Sequence, residues 1–354
     1  MSVIKRGYVR PLDLRHGRVD MNHGAGGRAM AQLISELFVR HLDNPALRQG
    51  DDGAVLTVPT SLTGTSRLVV STDAHVVSPL FFPGGDIGCL SVHGTLNDVA
   101  MMGATPISLS AAFILEEGFP LADLDRIVQS MAAASQQAGV PVVTGDTKVV
   151  ERGKADGVFI TSSAVGVLQD GINLGGRRVE PGDAVLVSGC VGDHGVAIMS
   201  RREHLSFDTP IVSDTAALHG LVARMLASGV TLHCLRDPTR GGVAATLNEI
   251  ATQAGVGVRL RERDIPVRPA VAAACELLGL DPLNVANEGK LLAFCPAAQA
   301  QDLLAVMRQH PLGTDASVIG EVIADPHHFV QLETEFGGRR IVDWLSGDPL
   351  PRIC

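Results

Sequence analysis

The sequence predicts a layered α/β or α+β protein of two domains, and three observations carry that expectation. Short Val- and Ile-rich runs of strand length alternate with amphipathic runs of helical period. The alternation is interrupted and reset once, at Gly171 to Gly182. At 354 residues the chain exceeds the roughly 100 to 200 residues of one domain.

Residues 1 to 48 combine a basic start, a glycine cluster and an amphipathic run from Ala29 to Leu42, read as an arm, a loop and one helix. The first domain, 49 to 170, has strands expected at Leu68 to Ser71, Ile107 to Leu115, Val140 to Thr144 and Val158 to Leu168. Its helices are expected at Ile87 to Met102 and Leu121 to Ala138, the second ending at Gly139, a good residue to follow a helix. The second domain, 171 to 345, opens after Pro181-Gly182-Asp183 with a strand at Ala184 to Ser188. Helices follow within His194 to Arg202, Thr215 to Ser228, Gly242 to Ala254, Pro269 to Leu278 and Ala297 to His310. The remaining strands are expected at Val256 to Leu260, Leu291 to Phe294, Ser317 to Ile323 and Phe329 to Glu333. Two prolines in the last stretch, 346 to 354, forbid helix and favour an extended tail ending in Cys354.

Composition narrows the function. The chain is 45% hydrophobic and 19% charged, too apolar for disorder. With one Trp, one Tyr and a net charge of −9, it lacks both the stacking aromatics and the basic surface of a nucleic-acid binder. No apolar run approaches the roughly 20 residues of a membrane helix, and the basic start has no apolar segment behind it, which implies a cytoplasmic protein. The six cysteines are scattered and none lies in C-x-x-C, so neither a zinc site nor a disulfide framework is expected; Cys354 stands apart because a terminal thiol has no packing reason to be there.

Several motifs carry chemistry. Gly24-Ala25-Gly26-Gly27 formally opens a G-x-G-x-x-A pattern, but no apolar strand precedes it, so it reads as a turn or as a loop whose N–H groups cover a polyphosphate. Walker A is absent, because neither Lys154 nor Lys290 is followed by Ser or Thr. Carboxylates fall at strand ends and turns: Asp51-Asp52-Gly53, Asp73, and Asp146 in Thr144-Gly145-Asp146-Thr147-Lys148. Each alone is ordinary turn chemistry. Asn97 and Asp98 are harder to dismiss, because they lie inside a predicted helix where turn chemistry is unavailable. Converging carboxylates would repel unless a divalent cation joined them, and Mg²⁺ binds through a few carboxylates plus substrate phosphates. In the second domain, Gly189 to Gly195 opens a helix and suits an anion or a tight βα loop. Arg236 to Gly242 suits a phosphate, a buried carboxylate or plain surface arginines. Glu288 in Asn287-Glu288-Gly289-Lys290 is a base or a cap.

These residues together resemble the aminoimidazole ribonucleotide synthetase (PurM-like) superfamily of ATP-using enzymes, and within it the hydrogenase-maturation carbamoyl dehydratases. The most specific parts are His23 to Gly27, Gly50 to Ala54, Leu96 to Ala100, Thr144 to Val149, Asp237 to Gly242, Asn287 to Lys290 and the ending Pro351 to Cys354. The resemblance implies a PurM-like pair of domains, the first dimerising through its sheet and the second carrying a mixed sheet with flanking helices. It implies ATP and Mg²⁺, with Asp51, Asp52, Asp98 and Asp146 as metal ligands. Gly24, Gly26, Gly27, Asp73, Asn97, Asp98, Gly145 and Asp146 would be nucleotide-binding. Cys354, Glu288 and Lys148 would be catalytic: Cys354 carries a carbamoyl group, Lys148 neutralises the transferred phosphoryl, and Glu288 takes protons from the carbamoyl nitrogen. Arg352 is expected to compensate charge at the terminal thiol. The implied partners are a carbamoyltransferase, HypF, as donor and the HypC–HypD iron scaffold as acceptor of the cyanide. A sister kinase or synthetase of the superfamily, with Cys354 incidental, is the alternative.

Overall fold

The computed structural model describes residues 27–38, 47–60, 64–203, 211–344 and 352–354. Gly24, Gly26 and most of the glycine-rich loop lie outside them.

A short helix α1, Arg28–Leu33, continues into a π turn at Ile34–Phe38, so the helix expected over 29 to 42 changes pitch, and its last four residues lie outside the described ones. The first sheet is then built from β1 (Ala54–Thr60), β2 (Gly64–His75), β5 (Thr105–Glu116), β6 (Val142–Val150) and β7 (Val158–Leu168), in the order β1-β2-β7-β5-β6. A small hairpin, β3 (Phe81–Phe82) and β4 (Gly85–Asp86), leads into helix α2, Ile87–Met101. Helix α3, Leu121–Ala138, ends as the sequence predicts, at Gly139 with φ 68°. Every pairing in the sheet is antiparallel except β5 with β6. One face is covered by α2, with α3 packed outside it.

The alternation along β7 decides which side chains meet that cover. Val158, Ile160, Ser162, Ala164 and Leu168 are buried, whereas Thr161 and Val167 are exposed. Opposed residues share a face. Asp73 lies opposite Ser162, which lies opposite Ala111, so all three face α2. Ala112 pairs with both Thr161 and Asp146, so Asp146 lies on the other face.

The second sheet has the order β14-β13-β10-β12-β8-β11-β9, from β8 (Asp183–Val187), β9 (Cys234–Arg236), β10 (Gly257–Arg261), β11 (Leu292–Pro296), β12 (Ser317–Ile323), β13 (Val330–Glu333) and β14 (Arg339–Ile341). It is mixed, β10 and β13 being parallel. Strand β8 is buried on both faces. Val185 and Val187 pack with Val243 and Leu247 of α6 (Gly242–Ala254), while Ala184 and Leu186 pack with Leu221 of α5 (His219–Ala227) and Leu303 of α8 (Ala300–Arg308). Helices α4 (Asp193–Arg202) and α7 (Pro269–Leu278) join the core under α2, which also takes in Ile353.

The departures from expectation have local causes. The edge strands β1, β9 and β14 are too short or too interrupted to show a period; Pro59 in β1 is tolerable because β1 is an edge strand among the described residues. Helix α5 starts four residues late because Asn97 accepts from the Leu218 N–H at 2.8 Å and donates to the Ala216 carbonyl at 3.0 Å, holding that segment off the helix. Strand β6 runs straight through Thr144 to Lys148, where the sequence reads as turn chemistry.

Helix α2 carries the residues that matter most below, and its start is set by Asp86, whose carboxylate accepts from the N–H groups of Gly88 at 2.7 Å and Cys89 at 3.2 Å. Asp86→Ala is expected to cost about 1 kcal/mol, the usual worth of such a cap, read as a lower urea midpoint with an unchanged slope.

Candidate functional site

The site is assembled around one loop between the domains. Asn287 is fully buried and clamps three segments: its Oδ1 accepts from Gly192 N–H at 2.8 Å, and its Nδ2 donates to the carbonyls of Pro238 and Val285, both at 3.0 Å. The next residue, Glu288, is held by its backbone from both sides. Its N–H donates to Asp214 Oδ1 at 3.1 Å, and its carbonyl accepts from Asn97 of α2 at 3.2 Å. Gly289 completes the turn because a Cβ there would stand 1.8 Å from the Asp214 carbonyl oxygen. Lys290 pairs with Asp214 at 3.0 Å.

The Glu288 side chain receives no such support. It is 3% exposed, and its Oε1 has no hydrogen-bond partner among the described residues. Burial, then the negative charges of Asp73, Asp237 and Asp214, push its pKa well above the ordinary carboxylate range, with Arg240 opposing. A carboxyl group in that condition is a stronger base than an ordinary carboxylate once it is ionised.

Beside it, Asp52, Asp98 and Asp237 bring carboxylate oxygens within 4.8 Å of one another. Asp98 accepts from Ser71 Oγ at 2.6 Å, and Asp52 pairs with Arg236 Nε at 2.7 Å. Burial raises all three, Asp237 to about 6, and the mutual repulsion of Asp98 and Asp237 adds to the rise at Asp98. The two arginines flanking Asp237 are buried against carboxylates: Arg236 also bonds Glu249 at 2.9 Å.

The chain's last residues lie in the same place. The N–H groups of Val76 and Ser78 donate to the backbone oxygens of Cys354 and Arg352, each at 3.0 Å. His194 Nε2 meets the Ile353 carbonyl at 2.8 Å, and Arg202 reaches the Arg352 carbonyl at 3.1 Å. The cation at the sulfur is Arg240, whose Nη1 is 3.6 Å from Cys354 Sγ. Arg352, expected to play that part, points away and pairs with Asp156. Burial drives the Cys354 thiol upward, Arg240 only partly offsets it, and Glu288 and Asp73 add to the rise. The docked sulfur is therefore neutral, which suits an uncharged sulfur ester better than a thiolate.

The remaining sequence-predicted residues divide sharply. Asp73 lies near the end of β2 with its Oδ2 3.7 Å from His75 Nε2, next to the Glu288 chamber. Asp51 is drawn away from the acidic trio to accept from Gly176 N–H at 3.1 Å, tying the first domain to the linker. Asn97, expected at the nucleotide, spends its amide on the backbone groups of Ala216, Leu218 and Glu288. Gly145 is glycine because a Cβ would stand 2.2 Å from the Ala111 carbonyl of the neighbouring strand. Gly27 caps α1, its carbonyl accepting from Ala31 N–H at 3.1 Å. Asp146 and Lys148, 3.8 Å apart, sit exposed on the far face of the sheet, so the single chain does not bring them to the trio. After Gly189, the N–H groups of Val191, Gly192 and Gly195 are taken by Pro266, Asn287 and Ala286, which supports the tight βα loop. Sequence reasoning missed Asp237 as a member of the trio and missed His75 and His194 altogether. Asp237 had a signal, since Asp-Pro between two arginines before a glycine pair is costly unless the charges meet.

The AIR synthase related protein N-terminal domain matches residues 50–168 and its C-terminal domain 180–333. The carbamoyl dehydratase HypE of Cupriavidus necator is 66% identical over 353 residues, covering 100% of this chain and 99% of the relative. The chain belongs to the carbamoyl dehydratase HypE family. Two crystal structures from that family superpose on it. A HypE–HypF complex matches with a TM-score of 0.82 at 48% identity, over 88% of this chain and 99% of the other. HypE in complex with ATP matches with a TM-score of 0.79 at 47% identity, over 94% and 99%. The domain models of the family stop at residue 333, so the docked ending lies beyond them, yet the full-length relative spans it.

Glu288 makes a stability prediction with a definite sign. Its folded pKa lies above the value near 4.5 of a free carboxyl. The folded state is therefore favoured at low pH and loses that advantage as pH climbs from 4.5 through the raised value. Glu288→Gln removes the loss, and at neutral pH its thermal midpoint is expected to rise by roughly 2–4 °C, the size of about 1 kcal/mol, with the gap to wild type closing below pH 4.5.

Proposed function

We propose that this chain uses ATP to dehydrate a carbamoyl group carried on its own Cys354 sulfur, giving a thiocyanate whose nitrile goes to the iron of a [NiFe]-hydrogenase. The observation that carries the reading is the docked ending, which places Cys354 against Arg240 in the chamber of an unpartnered, proton-hungry Glu288.

The carbamoyl oxygen is a poor leaving group, and phosphorylation by ATP converts it into phosphate. The amide nitrogen must lose protons as the triple bond forms, and Glu288 is the base poised to take one. Arg240 fixes the sulfur, and the backbone pairing of residues 352 to 354 with 76 to 78 fixes the tail's approach, so the reacting group is positioned rather than searched for.

Mg²⁺ fits Asp52, Asp98 and Asp237: they are hard oxygen donors, converged and elevated in pKa, a costly arrangement without a cation. Bound there, it would offset charge on the nucleotide's phosphates. A homodimer accounts for Asp146 and Lys148. They lie on the exposed edge strand β6, on the sheet face that α2 leaves bare, together with exposed Ile114 and Val167. A second copy packed on that face would cover the apolar residues and could bring its own Asp146 and Lys148 to the nucleotide. A HypF-type carbamoyltransferase is the donor and a HypC–HypD scaffold the acceptor in this scheme. The six free cysteines suit a reducing cytoplasm.

Mass spectrometry of the C-terminal peptide is the direct test. After carbamoylation of Cys354, incubation with MgATP is expected to remove one water from that residue, and Glu288→Gln is expected to retain the carbamoyl group. An unchanged tail while ATP is consumed elsewhere sinks the dehydratase and favours the sister-kinase reading. A shared site makes a second prediction. Lys148→Ala and Glu288→Gln proteins, each inactive, are expected on mixing and subunit exchange to recover about a quarter of wild-type turnover, because half the dimers are mixed and each holds one intact site. No recovery despite exchange places Lys148 in its own chain's site or outside the chemistry.

A further inference from the structure

Helix α4 touches the chain's ending from both of its own ends. His194, its second residue, is fully buried and meets the Ile353 carbonyl through Nε2 at 2.8 Å. Arg202, its last residue, donates through Nη2 to the Arg352 carbonyl at 3.1 Å and to the Ser78 carbonyl at 2.6 Å. Both side chains grip backbone oxygens of the ending, so they act on its position and leave the Cys354 sulfur to Arg240.

The state of His194 follows from its partners. A carbonyl can only accept, so Nε2 carries the proton. Nδ1 then accepts from the Ser213 hydroxyl at 2.7 Å, and Ser213 Oγ accepts in turn from the Thr215 N–H at 3.1 Å. Phe82 closes one side of the ring with an edge contact, the centroids 5.5 Å apart. Burial keeps the imidazole neutral. This chain of bonds ends on Ile353, and with the ending away the buried Nε2–H loses its acceptor, a costly condition for a donor inside a protein.

Arg202 repairs an incomplete ladder. The N–H groups of Val76 and Ser78 donate to the oxygens of Cys354 and Arg352, which is the spacing of an antiparallel pair. In such a pair each residue returns the bond, but the Ser78 carbonyl goes to the Arg202 guanidinium, through Nε as well as Nη2. Arg352 is not in strand conformation: its φ is 56°, the left-handed region in which a side chain crowds the following carbonyl. Its ion pair with Asp156 joins two exposed groups and offsets little of that strain. The docked ending thus combines two firm grips with one strained residue between them and the rest of the tail.

We propose that α4 is the receptor for the chain's ending, with His194 and Arg202 as positioning residues that hold residues 352 and 353, and with the left-handed Arg352 weakening the hold so that the ending can leave again. The grips set where the sulfur stands for dehydration, and the strain lets a finished tail be handed on. That use rests on the dehydratase reading, whereas the hold itself is measured on the unmodified thiol.

The measurement is the rate at which iodoacetamide alkylates Cys354 in the full-length protein, read by mass spectrometry of the C-terminal peptide and divided by the rate for the free peptide. Only a thiolate attacks the reagent, and the docked thiol is half-buried and neutral, so the rate reports the undocked fraction. His194→Phe keeps a ring without a donor and is expected to raise the rate about five-fold; Arg202→Met, which loses a charged donor, is expected to raise it about ten-fold. His194→Gln and Arg202→Lys still carry donors and are expected to stay within about two-fold of wild type. Alkylation of Cys190, just before α4, and of Cys275 on α7, which packs against it, is expected to stay unchanged. A general loosening of the domain would raise all three. Equal Cys354 rates in wild type, His194→Phe and Arg202→Met overturn α4 as the receptor. Arg352→Gly and Arg352→Ala both lose the Asp156 pair and differ only in the backbone. The glycine variant is expected to react about three-fold more slowly, and equal rates overturn the role of strain. A wild type that forms no thiocyanate from carbamoylated Cys354 and MgATP fails the dehydratase reading and leaves the alkylation result standing.

Discussion

The backbone of Glu288 is held from three directions while its Oε1 is left without a partner among the described residues, and most of the architecture around the site follows from that pairing of rigidity and deprivation. Asn287 fixes the loop to the second domain, Asp214 holds the Glu288 N–H, and Asn97 reaches from the first domain to its carbonyl. Removing freedom from the backbone makes the position of the carboxylate reproducible. Withholding hydrogen bonds from the side chain keeps it basic. Either alone would be ordinary: a fixed, satisfied glutamate is a structural brace, and an unsatisfied mobile one would turn to solvent.

The surrounding charge distribution works in the same direction. Asp73, Asp237 and Asp214 face Glu288 from different elements, and the cations that could quench it are already committed. Arg236 is engaged by Asp52 and Glu249, and Lys290 by Asp214. Arg240 is the exception, and it is aimed at the Cys354 sulfur. Burial drives the thiol upward, and a docked thiolate would also add another anion to this crowd, so the thiol sits neutral. A tail bearing an uncharged carbamoyl group meets no such opposition. The site therefore discriminates by charge between a tail ready for dehydration and a bare ionised one.

Much of the fold was legible because its signals are local. Val158–Leu168, Gly242–Ala254, Pro269–Leu278 and Ser317–Ile323 form as their periods and punctuation indicate. Where the structure adds what the motifs do not show, the physical cause is shared: a distant contact outweighs the local preference. Asn97 reads as a ligand until its amide is seen holding Ala216, Leu218 and Glu288. Asp51 reads as a twin of Asp52, but a linker N–H some 125 residues away claims it. Gly145 reads as part of a phosphate loop, and its real constraint is the carbonyl of the strand beside it. His75 and His194 carry no local signal at all, since a lone histidine in an apolar run is the commonest kind of core histidine. What the motifs conveyed well was the list of chemically unusual residues; which of them meet was decided by topology.

The sheet itself supplies the last step. Strand pairing puts Asp73 and Asp146 on opposite faces, with the Ser162–Ala111 pair facing α2 and the Thr161–Ala112 pair facing away. A one-residue slip would reverse the assignment of every side chain, and the buried series on β7 forbids it. No rearrangement of loops within one chain can therefore carry Asp146 or Lys148 through the sheet to Asp52, Asp98 and Asp237. If those residues act on the same phosphates, they must come from another molecule, and the bare apolar face on which they stand is the surface through which a second copy would bring them. The motif that looks most like a nucleotide loop in the sequence then belongs to the neighbouring subunit's reaction, and dimerisation becomes part of the catalytic apparatus.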